Sequence, residues 1–267
     1  MNQFLADSLA PLYRYITKKK YRSYINLLTK HGGAARFKSR KVNFDHYSFQ
    51  VIDVPSFLDH YKSIIVDEIY AFKARNNQPV IYDCGANIGI SVLYFKMLYP
   101  EAKIIAFEAD PSIAKVLQEN INVNKLSDVS LVAKAVWKDD HGISFGVEGA
   151  DAGSIYFEGE KIHIPSVRLR DILEKESYID FLKMDIEGAE TEVLRDCKDV
   201  LHKADHLFIE YHTFNGMAQE LDEVLKIFTD NGFRYFIQTV NYRKHPYLFK
   251  TGKGSMDLQL NIYGYKV

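Results

Sequence analysis

Two short apolar runs carry most of the ionisable groups that could do chemistry, FLKMD at residues 181–185 and FIEYH at residues 208–212. Side chains alternate along a strand, so Lys183 and Asp185 share one side of the first run, and Glu210 and His212 share one side of the second. If the runs are neighbouring strands, four groups converge at their carboxyl ends, where open α/β sheets hold ligands. Two chemistries suit such a set. Asp185, Glu210 and His212 could ligate a divalent cation such as Mg²⁺ or Mn²⁺, which would bind an acceptor hydroxyl and lower its pKa. Without a metal, His212 or Asp185 would be the general base, His212 being favoured by its near-neutral pKa. Lys183 is either a fourth working group or the partner of a neighbouring acid.

A third run, VIYDCGANIG at residues 80–89, places an acid, two glycines and an asparagine directly behind apolar residues. A dinucleotide loop would need glycines at 85, 87 and 90, because the pyrophosphate approaches the backbone and rests on a helix N-terminus. The chain has Gly85, Asn87 and Ile90 there. Asn tolerates a left-handed backbone, but its side chain fills the space a pyrophosphate would use. No Gly-Lys-Ser/Thr follows at the spacing of a P-loop. The loop therefore suits a ligand without phosphates. KIIAFEADP then brings Glu108 to the end of the next strand, 23 residues after Gly85, where an acid accepts both hydroxyls of a ribose. A nucleoside with an amino-acid tail meets both conditions, and S-adenosylmethionine (SAM) is such a molecule. The expected cofactor residues are Asp83, Gly85, Ala86, Asn87 and Gly89 near the charged tail, and Glu108 and Ala109 at the ribose. Ala135 and Val136 would lie near the adenine, and Asp185 would touch both cofactor and acceptor.

DCGANIG, the acid in FEADP, Asn120 and Asn124 in LQENINVNKL, KAVW, and above all FLKMDIEGAETEVL resemble the FkbM-type SAM-dependent methyltransferases. The resemblance runs from about Val80 to His212. It implies a Rossmann-like class I methyltransferase fold, a seven-stranded mostly parallel sheet whose last strand is antiparallel. It also implies O-methylation of a sugar, glycan or related natural product. Glu187, Gly188 and Glu190 complete the motif, and Glu190, in a first helical turn, reads as structural. Asn120 and Asn124, four apart, read as helix-end residues.

The elements that must position these groups follow from hydrophobic periodicity. From Pro79, strand-like runs alternate with helical segments at 90–98 and 112–123, then at 168–175, 189–201 and 216–231. This α/β pattern predicts a parallel sheet covered on both faces. FRYFIQTV and LQLNIYGYKV follow without a helix between them, which predicts an antiparallel hairpin at the sheet edge. Residues 140–165 lack a helix and read as an inserted hairpin, whose GVEGADAGSIYF is expected to wall the acceptor site. Residues 1–75 form an N-terminal cap, read as a helix at 10–30, a hairpin turning at Asp45-His46, and a helix from about 55 to 73. The methyltransferase domain would then span 76–267.

With 267 residues and 47 % hydrophobic content, the chain can bury a substantial core. Two cysteines, Cys84 and Cys197, make no disulfide framework, which points to a reducing compartment and to the cytoplasm. No stretch of 18 apolar residues and no leader pattern is present in the sequence. Residues 1–41 hold ten Lys or Arg against one acid, Asp7. This basic face is either a solvated side of the cap, a peripheral contact with an anionic membrane, or a nucleic-acid contact. The acidic remainder argues against an RNA methyltransferase, which would want a continuous positive groove. A non-catalytic SAM-binding module is the other alternative, and Asp185 and Glu210 argue against it.

Overall fold

The computed structural model describes residues 13–146, 161–240, 243–248 and 256–267. In the cap, a helix at Lys19–His31 precedes the hairpin of β1 (Arg40–Phe44) and β2 (Tyr47–Val51), which turns at Asp45 with φ 49°. Asp53 then caps a helix at Val54–His60, its carboxylate accepting from the backbone N–H of Ser56 beside Pro55. The last turns, Tyr61–Val66, widen into a π-helix that ends well short of residue 73. Two lysines of the basic face are paired within the described residues, Lys20 with Glu68 at 2.7 Å and Lys19 with Asp45 at 3.7 Å.

Beyond the cap come β3 (Val80–Cys84), β4 (Lys103–Phe107), β5 (Val129–Val132), β6 (Ala135–Trp137), β7 (Ile143–Gly146), β8 (Lys161–Ile164), β9 (Ser166–Arg168), β10 (Ile179–Met184), β11 (Ala204–Phe214), β12 (Arg234–Thr239) and β13 (Met256–Tyr265). Seven of these form one sheet in the order β12-β13-β11-β10-β3-β4-β5. β3, β4, β5, β10 and β11 run parallel, and β13 is antiparallel to both its neighbours. This is the class I methyltransferase fold with its antiparallel last strand. The last two strands form the expected antiparallel hairpin at the sheet edge, with β13 as its inner strand. β13 inserts between β11 and β12 and buries Leu260 and Ile262, leaving β12 outermost with Tyr235 and Phe236 exposed. β7 and β8 form the expected inserted hairpin, while the GVEGADAGSIYF stretch lies outside the described residues beyond its first residue, Gly146.

The central strands are covered on both faces, as a parallel sheet requires; all six residues of β10 are buried, Asp180 and Lys183 among them. One face carries the cap, and Val42, Phe49, Phe57 and Tyr61 share a continuous core with Ile81, Val92 and Phe95. The other face packs Leu169, Val193, Leu194 and Phe228 against Leu182, Leu207 and Ile262. Cys84 and Cys197 are buried free thiols. Among the described residues no helix is long and apolar enough to cross a membrane.

Asn120 and Asn124 do more than end the helix Pro111–Val123. They lie one turn apart, matching the two-residue repeat of the outer edge of β2. The Asn120 amide accepts from Gln50 N–H at 2.7 Å and donates to Gln50 O at 3.0 Å, and Asn124 does the same for Ser48 at 2.9 and 2.8 Å. Asn120 Nδ2 also donates to Ile88 O, behind the glycine loop, at 2.9 Å. These two amides stand in for a missing strand and pin the cap to the cofactor loop. Asn120→Ala leaves buried backbone groups unpaired and is expected to cost about 1–3 kcal/mol. Urea unfolding checks this, with faster amide exchange at Gln50 as the local signature.

Candidate active site

A cavity of about 560 Å³ opens at the carboxyl ends of β3, β4, β10 and β11, within the size range of small-molecule sites. Its first wall is the glycine loop. Asn87 adopts φ +48°, and Gly85 and Ala86 donate their N–H groups to Phe107 O at 3.0 and 2.9 Å. Glu108 closes the corner. Its Oε2 accepts from Asn87 N–H and its Oε1 from Asp110 N–H, each at 2.9 Å. A carboxylate retains lone pairs after two such bonds, enough to accept a pair of ribose hydroxyls. Ala109, Lys134, Ala135 and Val136 continue the wall beyond Glu108.

Burial raises the Glu108 pKa to about 7, against the opposing pull of the Asp110 and Asn87 amides. The carboxylate is the form that accepts from two hydroxyls, so ligand uptake below pH 7 must expel a proton. Affinity for S-adenosylhomocysteine is therefore expected to rise about tenfold between pH 6 and pH 8 and then level off. Calorimetry across that range checks it, and Glu108→Gln should flatten the profile.

Lys183 anchors the floor. Nearly inaccessible in the middle of β10, its ammonium donates to Gly85 O at 2.7 Å and lies 3.2 Å from Asp83 Oδ1 and 3.6 Å from Asp185 Oδ2. Burial pulls its pKa down, but Asp83 and Asp185 outweigh this and leave it above the ordinary lysine range. Asp83 is fully buried, with its other oxygen accepting from Ser91 Oγ at 2.5 Å. It holds Lys183 and the helix behind the loop and does not reach the cavity lining. Gly89, at φ +95°, also lies behind the lining; a Cβ there would come within 2.5 Å of Leu117 Cδ1.

At the far side, Asp185, Glu187 and Glu210 line the cavity and His212 sits just behind them. The His212 Nδ1 faces Glu190 Oε1 at 3.1 Å, while Nε2 lies 3.5 Å from Glu210 and 3.9 Å from Glu187. Glu190 is itself fixed, because Ile186 N–H and Gly188 N–H donate to it at 3.0 to 3.1 Å. It is structural, and through His212 it also orients the site. Burial alone would lower the His212 pKa, but Glu187 and Glu190 raise it well above the usual value, so the imidazolium is favoured. A ring held this way is a poor general base. Burial and the Glu210 carboxylate push the Asp185 pKa up to about 6. Glu187 rises to about 8, chiefly through burial. Glu210 is held below its ordinary value: burial opposes this, but the hydrogen bond and charge of His212 prevail.

Of the residues expected to bind the cofactor, Gly85, Ala86, Asn87, Glu108, Ala109, Ala135, Val136 and Asp185 line one cavity, together with Lys183 and Glu210. Asp185, Glu187 and His212 each bring one potential ligand atom to a common point, with Glu210 also 3.5 Å from His212. The ligand atoms of the first three all lie within 4.8 Å of one another. Sequence reasoning predicted the cap but not its part in the site: the cap sends Ser56, Asp59, His60, Ser63 and Tyr70 to the same cavity, and β13 adds the equally unforeseen Gln259 and Asn261. Register explains the latter pair, since Asn261 is level with Glu210 and Gln259 with His212.

The methyltransferase FkbM domain matches this chain over residues 83–235, which takes in the glycine loop, Glu108, Asp185 and His212. The chain belongs to the FkbM methyltransferase family. It is a SAM-dependent methyltransferase. Methyltransferase sdnD of Sordaria araneosa is 29 % identical over 212 residues, covering 65 % of this chain and 80 % of the relative. The 2-O-methyltransferase NoeI of Sinorhizobium fredii (strain NBRC 101917 / NGR234) is 30 % identical over 156 residues, 50 % of this chain and 63 % of NoeI. The 31-O-demethyl-FK506 methyltransferase FkbM of Streptomyces tacrolimicus is 24 % identical over 211 residues, 65 % of this chain and 80 % of the relative. The crystal structure of methyltransferase FkbM from Methylobacillus flagellatus KT shares the fold at TM-score 0.52 and 15 % identity, covering 79 % of this chain and 53 % of that one. For this FkbM-family chain, the matched region stops short of both the cap and β13.

Proposed function

We infer that this protein transfers a methyl group from SAM to a hydroxyl of a sugar, glycan or related natural product. The observation that carries the reading is the meeting of a phosphate-free nucleoside wall with Asp185 inside one cavity. Two similar proteins, NoeI, named a 2-O-methyltransferase, and the Streptomyces FkbM, named a 31-O-demethyl-FK506 methyltransferase, support an oxygen as the acceptor atom. SAM, when bound, supplies an activated methyl on a sulfonium centre. The protein must align the acceptor oxygen and take its proton. Asp185 is placed for this, since it lines the cavity, while Lys183 and Glu210 set its charge and His212 stands behind.

A second reading concerns the metal. Asp185, Glu187 and His212 would suit a hard divalent cation as two carboxylates and one imidazole, provided the cation displaces the proton that the acids hold on His212; Glu190 fixes Nδ1 so that Nε2 faces the acids. Mg²⁺ or Mn²⁺ held there would lower the pKa of an acceptor hydroxyl. The experiment is methyl transfer from radiolabelled SAM into a panel of glycosides and hydroxylated macrolides, with and without chelator. Asp185→Asn is expected to lower turnover by about 10²–10⁴-fold, the range of general-base contributions, while S-adenosylhomocysteine still binds. Turnover unchanged in Asp185→Asn would refute the base assignment. Turnover unaffected by chelator would remove the metal.

A further inference from the structure

The cap helix has two faces. Val54, Phe57, Leu58, Tyr61 and Ile65 are buried in the core. Ser56, Asp59, His60 and Ser63, at helical spacing, line the cavity instead. Of these, Ser56 is committed to the cap, its hydroxyl donating to Asp53 Oδ2 at 2.7 Å, and Ser63 donates to the Asp59 and His60 carbonyls at 3.1 and 3.3 Å, which leaves its oxygen able to accept. The Asp59 carboxylate and the His60 ring make no side-chain hydrogen bond or ion pair with the described residues. Core packing does not account for two such groups at a cavity wall. The helix also widens into its π-helical turn along this stretch, a distortion that recurs at functional sites. Asn261 lines the same cavity, is 7 % exposed, and its buried Oδ1 has no hydrogen-bond partner among the described residues. A buried amide oxygen left unpaired at a cavity lining costs free energy until a donor arrives.

We propose that the acceptor is recognised between the cap and the last inserted strand: Asp59, His60 and Ser63 on one side and Asn261 on the other bind the hydroxyls of a polyol ring not being methylated. This rests on the hydroxyl-transfer reading above and goes beyond it, because it assigns acceptor selection to residues outside the matched FkbM region. A carboxylate accepts from two neighbouring hydroxyls, and an amide oxygen accepts from a third. Ile64 and Tyr70 lie beside them and offer apolar surface to the C–H groups of such a ring. Several donors meeting several acceptors exclude a simple apolar alcohol, since its binding would leave these groups dry and unpaired.

The test uses the full chain saturated with S-adenosylhomocysteine and titrated with methyl α-glycosides of glucose, mannose, galactose and fucose, with cyclohexanol as the apolar control, followed by saturation-transfer NMR. At least one glycoside is expected to bind and cyclohexanol is not. Asp59→Ala and Asn261→Leu should each weaken that glycoside by about tenfold or more, the loss of one charge-assisted or buried hydrogen bond. Both variants should keep S-adenosylhomocysteine affinity within about twofold of wild type, the mark of an intact cofactor site. Asp59 is exposed, so its variant is expected to fold even if Asn261→Leu does not. Binding of no glycoside, equal binding of cyclohexanol, or an Asp59→Ala variant as good as wild type would each overturn the proposal. Failure of S-adenosylhomocysteine to bind wild type would strike the underlying reading as well.

Discussion

Gly85→Ala is expected to abolish measurable cofactor binding and to lower the melting temperature. The cause is local and severe. Gly85 sits at φ +83°, and a Cβ there would stand 1.8 Å from the Asp185 carbonyl oxygen. That neighbour is backbone, pinned in turn because Asp185 N–H donates to Cys84 O at 3.1 Å. No side-chain rotation relieves the clash, so β3 and β10 must part at their carboxyl ends. Parting them moves Lys183, Asp185 and the Gly85 carbonyl together, and S-adenosylhomocysteine affinity should fall by more than about a hundredfold. Calorimetry and thermal unfolding read both effects, and wild-type affinity in this variant would show that the loop is not the cofactor wall.

Lys183→Met should cost about 3–5 kcal/mol, because removing one partner strands a buried charge. For a chain of this size that corresponds to roughly 6–20 °C in melting temperature. The stranded groups are Asp83, which is fully buried, and the Gly85 carbonyl, which loses its ammonium donor. The double variant Asp83→Leu with Lys183→Met removes both charges and should recover part of the loss. Its cofactor binding should stay impaired, since the loop carbonyl still lacks its donor. A single variant as stable as wild type would mean that Lys183 is not the keystone of the floor.

Much of this architecture is legible in the chain because its signals are local. The alternation in FLKMD and FIEYH predicts which side chains face the ligand, and β10 and β11 are indeed adjacent. The replacement of a second glycine by Asn87 excludes a pyrophosphate, and Asn87 does take the left-handed conformation. What escapes sequence reasoning depends on partners distant along the chain. Asn120 pairs with a residue 70 positions away, so its helical neighbourhood carries no hint of the strand edge it completes. Asn261 lies in a strand whose place beside β11 is not encoded by order, since β12 comes between them in the chain but outside them in the sheet. The cap stripe at 56, 59, 60 and 63 did have a signal, a polar helical face opposite an apolar one. Such faces usually meet bulk solvent, and only the fold sets this one at the wall of a cavity.

The cluster of acids around His212 shows the same limit. Period-two alternation brings Glu210 to the side of His212, and it stays there at 3.5 Å. Glu187 joins the set through the turn after β10, where φ +56° swings the chain back toward the strand ends. Turns of that kind follow no simple period, so Glu187 is visible only as part of a motif.

The ligand of the glycine loop decides the rest, and titration calorimetry with S-adenosylhomocysteine tests it most directly, using wild type, Glu108→Ala and NAD as rival. Micromolar affinity in wild type, lost in Glu108→Ala and accompanied by no heat from NAD, is the expected result. Equal binding by the variant, or binding of NAD with comparable affinity, would contradict a phosphate-free nucleoside site closed by Glu108.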